Sequence, residues 1–123
     1  MLLDSNIIIY AIKPEFSNLR DLVEKAHPMV SAISYVEVLG YHKLTSEDRQ
    51  DFEEFFDIVP IIHISQTIIE KAVALRQQRK MSLGDSIIAA TTIVHNLTLV
   101  TANVKDFEWI QEITILNPLE NQI

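Results

Sequence analysis

Cysteine is absent from this chain, so no disulfide, thiolate nucleophile or cysteine-ligated zinc or iron–sulfur centre is available to it. Glycine occurs twice and proline four times; no glycine-rich phosphate loop, flexible linker or low-complexity tract is present. No apolar run approaches the roughly 20 residues needed to span a bilayer. The start, Met1-Leu2-Leu3-Asp4-Ser5, has no basic leader, and Asp4 would interrupt a signal core. A cytoplasmic protein without membrane contact is the expectation. Basic residues are few, 10 against 17 acidic ones, for a formal net charge of -7. That balance argues against a wide surface gripping nucleic-acid backbones. It does not exclude a nuclease, because a bound divalent cation reverses the field of a carboxylate cluster. Any positive track must be local, drawn from Lys13, Arg49, Arg76, Arg79, Lys80 and Lys105. The four histidines, His27, His42, His63 and His95, are scattered and form no zinc motif. No serine sits in a nucleophile-elbow sequence.

Apolar residues make up 48% of the 123 positions, enough for one domain over residues 1–123 with a real core. Apolar segments of strand and helix character alternate, which points to α/β layering. The pattern predicts strands at Met1 to Leu3, Met29 to Ile33, Ile58 to Ile64, Thr98 to Thr101 and Ile113 to Leu116. Helices are expected from Ser5 to Ile12, from a Ser17 cap to Ala26, from a Ser34 cap through Leu39, and over Phe52, Phe55 and Phe56 behind the Thr45 turn. Two more follow, Gln66 to Lys80 behind Ser65 and Asp85 to His95, before a short turn at Asp106 to Ile110. The tail after Pro118 is expected to be loosely held. Phe52, Phe55 and Phe56, with Tyr35 and Tyr41, suit either a filled core or an apolar patch for another chain.

Four acidic side chains fall where these apolar segments stop or restart: Asp4, Glu37, Asp85 and Asp106. In a parallel α/β sheet, strand ends and helix starts share one edge, where ligands bind. Carboxylates gathered there repel one another unless a cation neutralises them. The pattern therefore suggests a divalent-metal site in a hydrolase. Each acid also has a plainer reading. Asp4 and Asp85 suit helix N-caps, Asp106 suits a cap of the turn containing Phe107, and Ser34-x-x-Glu37 suits a capping box.

Taken in order, Leu3-Asp4-Ser5-Asn6, Ser31-Ala32-Ile33-Ser34-Tyr35-Val36-Glu37, Leu83-Gly84-Asp85-Ser86-Ile87-Ile88-Ala89-Ala90 and Leu99-Val100-Thr101-Ala102-Asn103-Val104-Lys105-Asp106-Phe107 resemble the blocks of PIN-domain proteins. Within that group the chain is similar to VapC-type toxins of bacterial and archaeal toxin–antitoxin pairs. The resemblance implies a three-layer α/β/α sandwich on a central, mainly parallel five-stranded sheet. It implies a Mg²⁺-dependent endoribonuclease, with Mn²⁺ able to substitute, that leaves 5′-phosphate and 3′-hydroxyl ends. Asp4, Glu37 and Asp85 match the three acidic positions of the family site. The fourth departs from the commonest pattern: either Asn103 binds the metal, through its amide oxygen or a water, or Asp106 helps from the next turn. Asn6, Ser34 and Thr101 fit supporting positions around the ligands. The implied partners are RNA (transfer, ribosomal or messenger), a cognate antitoxin and a second copy of the chain. The competing reading is a PIN-like domain that has lost catalysis and serves as an RNA- or protein-binding module.

Overall fold

The computed structural model describes residues 1–120. Five short parallel strands form one sheet in the order β3-β2-β1-β4-β5, with β1 Leu2–Leu3, β2 Met29–Ser31, β3 Ile61–Ile62, β4 Thr98–Val100 and β5 Thr114–Leu116. All four pairings are parallel. Seven helices, with one 3-10 turn at Pro14–Phe16, make the connections: α1 Ser5–Ala11, α2 Ser17–Lys25, α3 Ala32–Leu39, α4 Ser46–Ile58, α5 Gln66–Gln78, α6 Leu83–Val94 and α7 Val104–Phe107.

The strands lack the polar alternation of a half-exposed sheet because both faces are covered. Successive side chains point to opposite faces. Leu2 and Leu99 therefore join Ile68, Leu75, Ile88 and Phe107 beneath α5, α6 and α7. Leu3 and Val100 join Ile7, Leu19, Val38, Phe52 and Phe56 beneath α1 to α4. The result is the α/β/α sandwich expected from the sequence.

Several boundaries differ from the sequence reading. The second strand ends at Ser31, whose hydroxyl accepts from the Ile33 N–H at 3.2 Å and caps α3. Ser34 is thus inside the helix rather than at its cap, and the capping-box reading of Glu37 fails. Ile58 ends α4 instead of starting a strand. Phe16, not Ser17, holds the cap position of α2. Ser82 caps α6, accepting from the Asp85 N–H at 3.1 Å, so Asp85 is not an N-cap. The Thr45 and Ser65 caps stand as expected. α6 is buried nearly all round; Thr91 and Thr92 enter the core by donating their hydroxyls to the carbonyls one turn back. Phe52 and Phe56 belong to the core, Phe55 is half-buried, and Tyr35 and Tyr41 remain exposed. Leu119 packs on the core, and its N–H donates to Asn117 at 3.1 Å. The last three residues of the expected loose tail lie outside the described residues.

Candidate metal centre at the sheet switch point

From β1 the chain moves outward through β2 to β3. It then returns past β1 to place β4 on the other side, with β5 beyond. The direction of travel therefore reverses between β1 and β4. Loops leaving the carboxyl ends of two such strands diverge and open a crevice. Asp4 follows β1 and Thr101 follows β4, one on each side of that opening.

Asp4 is 5% exposed. Its backbone N–H donates to Val100 O at 2.9 Å, continuing the β1–β4 pairing past the strand end. Its Oδ1 accepts from the Ser5 N–H at 2.8 Å, so it caps α1. Its Oδ2 accepts from the Thr101 hydroxyl, also at 2.8 Å. Thr101 is fully buried, and its Oγ1 in turn accepts from the Asn103 N–H at 3.0 Å. The Asp4 carboxylate is fixed from both sides, and its cap reading and its place at the site are compatible.

Ser5 extends this polar line to the next element. Its Oγ lies 2.8 Å from Glu37 Oε1 and 2.9 Å from Ser34 Oγ. A hydroxyl has one proton to give, and an ionised carboxylate can only accept. Ser5 therefore donates to Glu37, and Ser34 donates to Ser5. Glu37 itself is exposed on α3. On its other flank stands Gly84, where a Cβ would lie 2.6 Å from Glu37 Oε2. Glycine is needed there for space, since it lets the start of α6, with Asp85, approach Glu37.

Electrostatics join the four acids. The Asp4 carboxyl is raised above its ordinary 3.8, first by burial and further by Glu37 and Asp106, against the lowering effect of its Thr101 and Ser5 hydrogen bonds. Asp85 is pushed up to about 6, again mainly by burial and then by Asp4, Asp106 and Glu37. The fields of Glu37 and Asp106 thus reach both Asp4 and Asp85 and favour their protonated forms.

Of the sequence candidates, the structure brings Asp4, Glu37, Asp85, Ser34 and Thr101 together, with Asp106 near enough to act on Asp4 and Asp85. Asn103 occupies the N-cap position of α7 without a side-chain cap bond, is exposed, and is tied in through its backbone N–H. Asn6 is exposed on α1 and hydrogen-bonds none of the four carboxylates among the described residues. Ser5 and Gly84 were not singled out from sequence. Ser5 adjoins Asp4, a usable signal; the need for Gly84 is visible only once α3 and α6 meet.

All the acidic donors are hard oxygens, which suits Mg²⁺, and a cation would relieve the repulsion seen at Asp4 and Asp85. The donor chemistry fits. Among the described residues, however, no three acidic or histidine side chains converge closely enough to hold an ion as they stand. A cavity of about 630 Å³ lies elsewhere, bordered by Ile12, Val23, Phe55 and Pro60.

Residues 1–111 match the PIN domain family. The chain belongs to it. This PIN domain is homologous to VapC-type toxins of type II toxin–antitoxin systems. It is 28% identical to Ribonuclease VapC2 of Rickettsia felis over 128 residues, covering 94% of this chain and 96% of that one. It is 35% identical to a chain in a toxin–antitoxin complex from Klebsiella pneumoniae, with a TM-score of 0.76 and coverage of 95% and 96%. A chain of VapBC2 from Rickettsia felis, bound to a DNA fragment from its promoter, superposes with a TM-score of 0.82. At 24% identity, with 94% and 96% covered, that likeness speaks for the fold. No helix among the described residues is long and apolar enough to cross a membrane.

Proposed function

We propose that this PIN domain is the toxin of a toxin–antitoxin pair, an endoribonuclease dependent on Mg²⁺ and served also by Mn²⁺. The carrying observation is the placing of Asp4, Glu37, Asp85 and Asp106 around the switch point, with Asp4 and Asp85 raised by burial and further by their acidic neighbours. Asp4 and Asp85 would hold the ion directly. Glu37 would bind it through water or orient the attacking water, and Asn103 or Asp106 would complete the set. When bound, the ion supplies Lewis acidity toward a phosphodiester and toward water. Thr101 and the Ser5 N–H hold Asp4 in place and favour its charged form against the larger effect of burial. Ser34 and Ser5 hold Glu37 against α1, so that it faces the same crevice. Hydrolysis would be in-line, leaving 5′-phosphate and 3′-hydroxyl ends on transfer, ribosomal or messenger RNA.

The relatives supply the partner part of the reading. One is named a ribonuclease, and another is a chain of a toxin–antitoxin complex. A cognate antitoxin that lays a basic side chain on the carboxylates would inhibit by replacing the cation. A homodimer and a cytoplasmic setting complete the proposal.

The test is cleavage of total RNA by antitoxin-free protein in Mg²⁺ or Mn²⁺, with EDTA and Asp85→Asn controls and mapping of product ends. Metal-dependent cleavage lost in Asp85→Asn, with 5′-phosphate products, supports the reading. Near-normal cleavage by both purified Asp4→Asn and Asp85→Asn overturns the site. A folded protein that binds RNA but never cleaves it is the binding module instead.

A further inference from the structure

Three of the ten basic residues, Arg76, Arg79 and Lys80, fall within five positions at the end of α5, and all are exposed. Three other basic residues are engaged locally. Arg49 pairs with Glu53 at 2.9 Å, Lys71 with Glu112 at 3.0 Å, and Arg20 donates to Ala11 O at 3.0 Å. Among the described residues the α5 group has no carboxylate partner. Arg76 Nε donates to Met81 O at 3.4 Å, which holds the turn leading to the Ser82 cap and Asp85. Arg79 lies over the ring of Trp109, 5.5 Å from its centroid. The half-buried Trp109 is fixed at its edge, with its indole N–H donating to Asp106 O at 3.1 Å. Asp106 is itself one of the four gathered acids. The basic group is thus tied to the site by two routes, through Met81 to α6 and through Trp109 to Asp106.

A cation over an indole is a weak device for stability on an exposed surface. Positive side chains that follow a backbone, beside an aromatic face for a base, are what single-stranded nucleic acid requires. In a chain of net charge -7, they also give a polyanion a local approach to an acidic crevice. We propose that Arg76, Arg79, Lys80 and Trp109 form the positioning surface for single-stranded RNA entering the site. Arg79 and Lys80 hold phosphates, and a base stacks at the Arg79–Trp109 pair. This rests on the nuclease reading for its purpose, but its binding test does not need cleavage.

Trp109 is the only tryptophan, so its emission reports on its own ring. The full chain is titrated with a mixed-sequence single-stranded RNA oligonucleotide in EDTA at low salt, following tryptophan emission and the anisotropy of labelled RNA. Binding should change the emission. Arg79→Gln/Lys80→Gln should weaken binding roughly tenfold and reduce the salt slope by about 1.4, for two phosphates on a single strand. Arg49→Gln removes one charge far from this surface and should bind as the native chain does. In Mg²⁺ the double variant should raise KM and leave kcat within about twofold, the pattern of lost uniform binding. Unchanged emission on binding, equal affinity of the double and Arg49 variants, or no RNA binding at all each overturns the proposal. Emission change without cleavage sinks the nuclease reading and leaves the surface standing; cleavage with silent emission does the reverse.

Discussion

Asp85→Asn should stabilise the metal-free protein. Asp85 has a folded-state pKa of about 6 against an ordinary 3.8, so the fold binds a proton there more tightly than the unfolded chain does. For an acid raised in this way, the penalty is absent below the lower value. It grows as pH rises between the two and is fully present above the upper one. A displacement of about two units corresponds to roughly 3 kcal/mol. Two terms reduce it. The side chain is only partly buried, so solvent screens part of the repulsion, and a charged carboxylate in the first turn of α6 is favoured by the helix N-terminus by about 0.3–1 kcal/mol. About 1 kcal/mol remains, or roughly 3–5 °C in Tm for a chain of this length. The Ser82 cap survives, because it is made to the backbone of residue 85. Thermal and urea unfolding in EDTA should show the variant more stable near neutral pH, with the gap closing toward about pH 4. A native protein as stable as the variant near neutrality, or a gap independent of pH, refutes the claim that ionising Asp85 is costly in the fold.

Other perturbations test other parts of the site. Adding Mg²⁺ or Mn²⁺ should raise the native Tm by mass action and leave Asp85→Asn almost unmoved; equal shifts would mean binding elsewhere. Thr101→Val removes the hydroxyl that holds buried Asp4 and should destabilise the fold by about 1.5–3 kcal/mol. Thr101→Ser should restore most of that loss in denaturant titrations. The same Thr101→Val change should lower metal affinity or cleavage about 10–100-fold, the usual effect of removing a ligand's support. Gly84→Ala should fold, because Glu37 is exposed and its tip can yield. Displacing Oε2 should nevertheless depress cleavage measurably, and undiminished turnover would remove Glu37 from the chemistry.

The strands and layers were legible because their residues obey simple rules. Leu2, Leu3, Val30, Leu99 and Val100 form apolar runs without alternation, and such runs become strands covered on both faces. Boundaries were less so, since several residues near one junction suited the same role. Ser31 and Ser34 both qualify as caps for α3, and sequence cannot tell which serine turns toward the Ile33 N–H and which is buried against Ser5. Asp85 was similarly displaced as a cap by Ser82. Asp4, Glu37 and Asp85 were legible as acids at segment ends, and their convergence follows from the sheet order. The space at Gly84 was not, since it belongs to a contact between α3 and α6 that no local pattern encodes.

That contact and the line of hydroxyls suggest why the acids can be gathered before any cation arrives. Thr101, Asp4, Ser5, Glu37 and Ser34 form one chain of hydrogen bonds crossing from β4, past β1 and α1, to α3. Each buried oxygen along it has a partner, and no buried side-chain nitrogen or oxygen among the described residues is left without one. Removing one member would leave its neighbours unsatisfied in a poorly solvated place, which is costlier than losing the bond itself. The Thr101 hydroxyl and the Ser5 N–H therefore offset part of the effect of burial and of the neighbouring acids on Asp4, and they do so without adding positive charge. A lysine in their place would neutralise the crevice and compete with the cation; serine and threonine hold the carboxylates in position and leave their charge for the metal.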